Sequence, residues 1–316
     1  MQTESLFKTN QKMNPEPDIV VYHGDQDGFC GAWLLHHVFP NAEYVKASYG
    51  DRNLFDFIVG ISSNKIVFFV DFTFSLLREN YDIAKIAKHV VIMDHHKTAI
   101  EKLNNLECNN VTKILDNSRS GCKMVYDWLI ENDPYVPLPC NASSIVSTVC
   151  DYDLWTFKLA GTQNIFAAIA SYPMTFDSWN RMCLMSNGAL YAEGAIIERY
   201  RATLVDSIIK DNIVMLDLND EIRIFAVNTQ NEFAVAGSKL SKLNFNKHKI
   251  GATFYFNYDG MIVSLRSPDD GPDVSDIAKK FGGGGHAHAA GFQVKYCDIL
   301  MLSNGKTGSI RITREQ

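Results

Sequence analysis

Histidine and aspartate crowd together at three places in the first hundred residues: His23, Asp25 and Asp27 in HGDQDG, Asp71 in FFVDF, and Asp94, His95 and His96 in MDHH. A further acidic pair, Asp151 and Asp153, follows in CDYDLW. Carboxylates gathered in one place raise one another's pKa and repel unless a cation sits among them. Mixed imidazole and carboxylate donors suit manganese, iron or zinc better than an all-oxygen magnesium or calcium cage. The donors outnumber what one ion needs, which predicts two divalent ions about 3.5–4 Å apart with a shared carboxylate.

The clusters share a context, because each follows a short apolar run. DIVVY (18–22), KIVFFV (65–70) and HVVIM (89–93) have the β-branched and aromatic composition of buried strands. Between them, 29–39 and 75–87 read as helices, and strands alternating with helices predict a mostly parallel sheet with flanking helices. Parallel strands bring their carboxyl ends to one edge, where open α/β sheets bind ligands, so the clusters are expected to converge there. Further helices are expected at 121–131 and 141–150, and a long connecting helix at 188–211. Beyond it, strands at 221–227, 249–257 and 261–267, a hairpin turn at 258–260 and a helix at 273–281 capped by Asp273 predict a smaller C-terminal α/β domain. The division is a tail (1–17), a catalytic domain (18–187), the connecting helix and a substrate-binding domain (212–316).

Composition narrows the function classes. The 316 residues are 46% apolar and 21% charged, with a formal net charge of −6 and no Lys/Arg-rich run. The electrostatic footprint of a long-duplex nucleic-acid binder is therefore missing. No run approaches the roughly 18 apolar residues of a membrane span, and the first 17 residues lack the apolar core of a signal peptide. A cytoplasmic location is expected. The seven cysteines are scattered without CxxC spacing, which favours reduced thiols over a disulfide framework. The sequons at Asn110 and Asn141 then carry no weight.

In this order, HGDQDG, FFVDF, MDHH and CDYDLW resemble the four motifs of the DHH phosphoesterase superfamily. SLRS (264–267), DVSDIAKKFGGGGH (273–286) and AAGF (289–292) resemble the DHHA1 domain that often accompanies it. The resemblance implies that His23 and Asp25 hold one metal, that Asp27, His95 and Asp151 hold the other, and that Asp71 bridges them. It implies that Asp94 orients His95 and that His96 faces the substrate phosphate. Of the two acids in DYDLW, the match favours Asp151 over Asp153. The activity expected is hydrolysis of short oligonucleotides or dinucleotides to nucleoside 5′-monophosphates with two divalent ions, manganese first. A pyrophosphatase or polyphosphatase and a nucleotide sensor without turnover are the alternatives. The HxDxD spacing matches the exonuclease-type branch, whereas several oligoribonuclease and pyrophosphatase members place three residues between the histidine and the first aspartate.

The glycines at 282–285 have their own logic. Gly283, Gly284 and Gly285 can turn backbone N–H groups toward an anion, and Arg266 and His286 can add charge-assisted hydrogen bonds. Taken alone, four glycines read as a linker. The substrate is expected in a cleft between the domains. Arg119 and Ser120, in a loop leading to a helix N-terminus, can also meet phosphate. His288 is either a third phosphate contact or a loop histidine. His36 and His37 complement a helix C-terminus, Trp128, Trp155 and Trp179 read as packing residues, and His89, His248 and Lys97 as surface groups.

Overall fold

In a computed structural model, described for residues 15–313 apart from 50, 52, 75, 211, 219–221, 244–245 and 304–307, five parallel strands form the N-terminal sheet. They are β1 (Ile19–His23), β2 (Glu43–Ala47), β3 (Ile66–Val70), β4 (His89–Asp94) and β5 (Val111–Leu115), in the order β2-β1-β3-β4-β5. The three inner strands are covered on both faces, so they read as unbroken apolar runs. The two edge strands, EYVKA and VTKIL, are half-solvated and interrupted by charge. That is why their apolar signal was too weak to announce them in the sequence.

Alternate residues of each inner strand enter two different cores. Val20, Phe68, Val70, Val91 and Met93 pack with α1 (Gln26–Val38), α5 (Gly121–Asn132), α6 (Ala142–Asp153), α7 (Thr162–Ser171) and α8 (Phe176–Met182). Ile19, Val21, Val67, Phe69, Val90 and Ile92 pack with α2 (Leu54–Ile61), α3 (Leu77–Ile86) and the α4 helix (Lys97–Leu103). Trp33 and Trp179 lie edge-to-face in the first core with both rings fully buried, and the Trp33 indole donates to Asn180 Oδ1 at 2.8 Å. From β1 the chain moves outward to β2, then returns to the other side of β1 for β3. The point of reversal lies between β1 and β3, where ligands bind outside the carboxyl ends of the strands.

The connecting helix is α9 (Asn187–Lys210), and the chain divides within it into units 1–197 and 198–316. The C-terminal unit has fewer residues but an eight-stranded mixed sheet, ordered β10-β11-β9-β8-β7-β6-β13-β12. Its strands are β6 (Val214–Asp217), β7 (Arg223–Asn228), β8 (Gly251–Asn257), β9 (Gly260–Arg266), β10 (Gly284–His286), β11 (Ala289–Val294), β12 (Ile299–Ser303) and β13 (Gly308–Ile312). One face, bearing Ala252, Phe254, Met261, Val263, Leu265, Ala290 and Phe292, packs against α11 (Val274–Lys280), which Asp273 caps as expected. The opposite face receives α10 (Phe233–Ser241), whose Ala236 and Leu240 pack with Val227 and with Val205 and Ile209 of α9.

The cysteines are all free. Among the described residues, no helix is long and apolar enough to cross a membrane.

Candidate metal centre

The stretch HGDQDG takes the chain from β1 into α1, and each polar residue in it has a distinct task. Asp25 caps the helix, its Oδ1 accepting from Gly28 N at 3.0 Å. Its other oxygen lies 2.8 Å from His23 Nδ1. Gly28 must be glycine, because a Cβ there would sit 2.3 Å from the His23 carbonyl oxygen. The turn can close only without a side chain at that position.

Asp71 follows β3 and is buried, with φ at 54°. A left-handed conformation in a residue with a Cβ costs about 1 kcal/mol or more and points to a position held by its surroundings. The bend presents its two oxygens to separate groups. Oδ2 lies 3.4 Å from His23 Nδ1, beside Asp25. Oδ1 lies 3.1 Å from His95 Nε2, which is also 3.4 Å from Asp153 Oδ2 and 3.8 Å from Asp27 Oδ2. One carboxylate therefore serves two adjoining donor sets.

Mutual repulsion in this cluster is visible in its acid–base properties. Burial, followed by the charge of Asp71, pushes the Asp27 carboxyl up to about 6. Burial, followed by the charge of Asp27, raises Asp153 well above the carboxylate range. Asp71 is instead held well below that range: burial opposes ionisation, but the adjoining imidazoles of His23 and His95 prevail. Burial would lower the His23 imidazole, yet Asp25 and Asp71 together push it up to about 11. Asp71 Oδ1, Asp153 Oδ2 and His23 Nδ1 are buried without a hydrogen bond of good geometry. Buried polar atoms of this kind normally have a partner. Divalent cations supply partners to oxygen and nitrogen alike, so the donor set fits metal.

Three sequence expectations are corrected by this geometry. First, Asp151 is not brought into the cluster; Asp153 is. Both lie on α6, where two residues are separated by roughly 200° around the axis, so only one can face the strands. Asp151 turns the other way and accepts from the backbone N–H groups of Lys158 and Leu159 at 2.8 and 3.0 Å and from the hydroxyls of Thr156 and Thr162. These bonds outweigh burial and lower its pKa. It fastens the loop that leads to α7.

Second, Asp94 orients His96 rather than His95. Its Oδ1 lies 2.9 Å from His96 Nδ1 and accepts from His96 N at 3.0 Å, while Oδ2 accepts from the Thr73 hydroxyl at 2.6 Å. Burial disfavours a charged His96, but Asp94 overcomes it and raises the imidazole pKa, which equips the ring to meet an anion as a cationic donor.

Third, Arg119 and Ser120 have structural partners. Arg119 donates to Asp116 and Asp127 at 2.8 and 2.9 Å. Ser120 is fully buried, and its hydroxyl donates to Asp27 Oδ1 at 2.7 Å. Gly121 N and Cys122 N, the first amides of α5, donate to the same carboxylate at 2.6 and 3.1 Å. A Cβ on Gly121 would lie 2.5 Å from Asp71 Cβ, so glycine lets the helix start this close to the cluster. The helix N-terminus does meet an anion, but that anion is Asp27.

Tyr49 was not anticipated. Its ring centroid is 5.3 Å from His23, 6.3 Å from His96 and 5.0 Å from Phe72, and 46% of the residue is exposed. Burial of its hydroxyl end, then the charges of Asp94 and Asp71, drives the phenol pKa up. Reading AEYVKA as an edge strand would have placed Tyr49 just beyond the same sheet edge.

In the C-terminal unit, Gly284, Gly285 and His286 form the terminal strand β10, paired with Gly291, Ala290 and Ala289, so the tract is neither a linker nor a free loop. Gly283 precedes it, its N–H bonded to the Ala278 carbonyl at 2.9 Å. Arg266 ends β9, donating to Ser264 Oγ at 2.9 Å and to the Leu265 carbonyl at 2.8 Å. His288 Nδ1 lies 3.0 Å from Ser267 Oγ, which gives it a place in the turn after β9. His36 stacks on Phe176 with ring centroids 3.8 Å apart, and His89 Nε2 lies 3.0 Å from Thr112 Oγ1.

Residues 19–150 match the DHH family, N-terminal domain, and residues 224–301 match the DHHA1 domain. An uncharacterized protein R106 of Acanthamoeba polyphaga mimivirus is 26% identical over 306 residues, which cover 91% of this chain and 68% of that protein. Oligoribonuclease NrnB of Bacillus subtilis is 28% identical over 227 residues, covering 65% of this chain and 53% of NrnB, so the match spans about half the length of that relative. Among solved structures, RecJ of Thermus thermophilus in complex with Mn2+ superposes with a TM-score of 0.53 at 15% identity, covering 90% of this chain and 50% of RecJ. At that identity the likeness speaks for the fold.

Proposed function

We propose that this DHH-family chain, with a DHH domain followed by a DHHA1 domain, is a phosphohydrolase that cleaves phosphodiester bonds of short oligonucleotides or dinucleotides to nucleoside 5′-monophosphates, using two divalent ions, manganese foremost. The observation that carries the reading is the orientation of Asp71, with one oxygen toward His23 and Asp25 and the other toward Asp27 and His95, which Asp153 also faces. Similarity to an oligoribonuclease supports the substrate class.

His23, Asp25 and Asp71 Oδ2 would hold one ion, and Asp27, His95, Asp153 and Asp71 Oδ1 the other. Bound there, the ions would neutralise phosphoryl oxygens and make water acidic enough to deprotonate near neutral pH. His96, fixed at Nδ1 by Asp94, would meet a phosphoryl oxygen as a cationic donor. Thr73 holds Asp94, and so keeps the imidazole from turning. Arg266 and His286, with the glycine strand β10, would hold the remaining anionic part of the substrate.

The test is product analysis of purified protein with manganese across linear dinucleotides, cyclic dinucleotides, longer single strands and polyphosphate. Nucleoside 5′-monophosphates released fastest from the shortest linear substrates are expected. Release of phosphate from polyphosphate alone would replace the reading with a polyphosphatase, and an inert protein that still bound nucleotides would replace it with a sensor.

A further inference from the structure

Cys140 and Cys183 are 43 positions apart in the sequence and meet in the fold. Cys140 sits just ahead of α6, in a turn that the Ala142 N–H closes on the Pro139 carbonyl at 3.0 Å. Cys183 ends α8, its N–H bonded to the Trp179 carbonyl at 2.9 Å. The Cys140 thiol lies 3.5 Å from the Cys183 carbonyl oxygen, and the two sulfurs are within hydrogen-bonding reach of each other. The Cys183 thiol donates to the Asn180 carbonyl at 3.1 Å, which leaves its sulfur lone pairs available to Cys140.

Neighbouring groups hold the two segments in register. Asn141 Nδ2 donates to the Met185 carbonyl at 3.1 Å and to Asn187 Oδ1 at 3.2 Å, and the Ser144 hydroxyl donates to the same Asn187 oxygen at 2.9 Å. Pro134, Pro137 and Pro139 precede Cys140 and restrict the backbone that carries it. The thiols differ in access. Cys140 is exposed, whereas Cys183 is 4% exposed. Burial, followed by the nearness of Cys140, pushes the Cys183 thiol pKa up, so a solvent-borne oxidant meets Cys140 first. Cys30 and Cys122 also adjoin, but both are fully buried in the core between α1 and α5, where an oxidant has no approach.

We propose that Cys140 and Cys183 form an oxidation site, at which a peroxide converts the two thiols into a reversible disulfide. The Cys140 thiolate attacks one peroxide oxygen: an S–O bond forms, the O–O bond breaks, and the leaving hydroxide takes up a proton to become water. The Cys183 sulfur then attacks the sulfenic acid at Cys140. An S–S bond forms, the S–O bond breaks, and the departing hydroxide takes the proton that Cys183 releases. The sulfurs together lose two electrons, the peroxide gains them, and two waters leave. The new bond joins the two ends of the segment that holds α6, α7 and α8, the same segment that brings Asp153 to His95. Closing that loop removes freedom from the unfolded chain. The site does not depend on the phosphodiesterase reading.

The experiment treats full-length reduced protein with a slight excess of hydrogen peroxide, blocks the remaining thiols and maps the peptides without reduction. A peptide joining Cys140 to Cys183 is expected as the main oxidised product, with Cys30 and Cys122 recovered as thiols, and dithiothreitol should restore both partners. The oxidised protein should melt roughly 5–10 °C above the reduced protein. Cys140→Ser, at an exposed position, should fold as before and show no such gain. In Cys183→Ser, Cys140 should accumulate as a sulfenic acid that dimedone captures; should that buried substitution prevent folding, which circular dichroism reads, the Cys140→Ser comparison still decides. Thiols that all survive peroxide in the folded protein, a map led by another cysteine pair, or an equal melting gain in Cys140→Ser would overturn the proposal.

Discussion

The carboxyl edge of the N-terminal sheet and the α10 face of the C-terminal sheet are built on opposite physical principles. At the edge, Asp27, Asp71 and Asp153 are crowded around His95, and burial together with the neighbouring carboxylates raises the pKa of Asp27 and Asp153. That arrangement is held by the fold but is electrostatically incomplete without cations. On the face, neutral amides, aromatic rings and Gly291 surround an open depression with a single guanidinium at its side. Nothing there repels its neighbour. The contrast separates a site whose competence depends on an added ion from one whose shape is already set by strand register.

The strongest way to break the contrast is Asp71→Ala. Losing the carboxylate that faces both donor sets should abolish turnover and leave fewer than two manganese ions per chain, while the fold of the C-terminal sheet stays intact. Two bound ions and a near-normal rate in this variant would mean that the sheet edge has been misread.

A pair of substitutions on α6 then sharpens the boundary of the edge site. Asp153→Asn should weaken metal binding at least tenfold with a corresponding loss of rate. Asp151→Asn should leave metal content unchanged but lower stability by about 1–3 kcal/mol, because four donors lose a charged acceptor. Asp151 has a depressed folded pKa, so its contribution is present above the unfolded value near 3.9 and disappears as pH falls through the lower folded value. The gap in melting temperature between wild type and Asp151→Asn should be full at pH 7 and narrow only below about pH 4. A gap that widened in acid would contradict the assigned role.

On the C-terminal side, Arg266→Ala should cut turnover of a dinucleotide by roughly ten- to a hundredfold, the loss of one charged hydrogen bond. A small chromogenic phosphodiester should lose much less, since it has no second nucleotide to hold. Equal losses on both would tie Arg266 to the chemical step. The smallest effect is expected from Ser120→Ala, which removes one of three hydrogen bonds to Asp27. It should weaken manganese binding by up to about tenfold, read by calorimetric titration of the metal.

The central architecture was legible because buried parallel strands leave unbroken apolar runs, and each of those runs ended in histidine or aspartate. β2 and β5 were not legible, since edge strands exchange half their apolar positions for charge. Spacing alone could not decide between Asp151 and Asp153: both residues are acidic, and the choice depends on how far α6 continues and which way it turns. The partner of Asp94 was equally hidden, because a carboxylate next to two histidines can reach either through a backbone turn. Arg119 and Ser120 were correctly placed before a helix N-terminus, but the anion that the helix meets comes from 93 residues earlier in the chain, a contact that local pattern cannot reveal. The glycine tract was read as backbone able to turn its N–H groups toward an anion, and its pairing with β11 was not foreseen, because glycine has low strand propensity.

Asp27 is shared property of two structural systems, since the carboxylate that faces His95 also closes the first turn of α5. Ion loading and the order of that turn are therefore thermodynamically linked, and the linkage has a local reporter. The amide protons of Gly121 and Cys122 point at Asp27, so their exchange with deuterium depends on how firmly that carboxylate is held. Slower exchange at these two amides upon titration with manganese would follow occupancy of the sheet edge residue by residue, in a form of the protein that need not turn over any substrate.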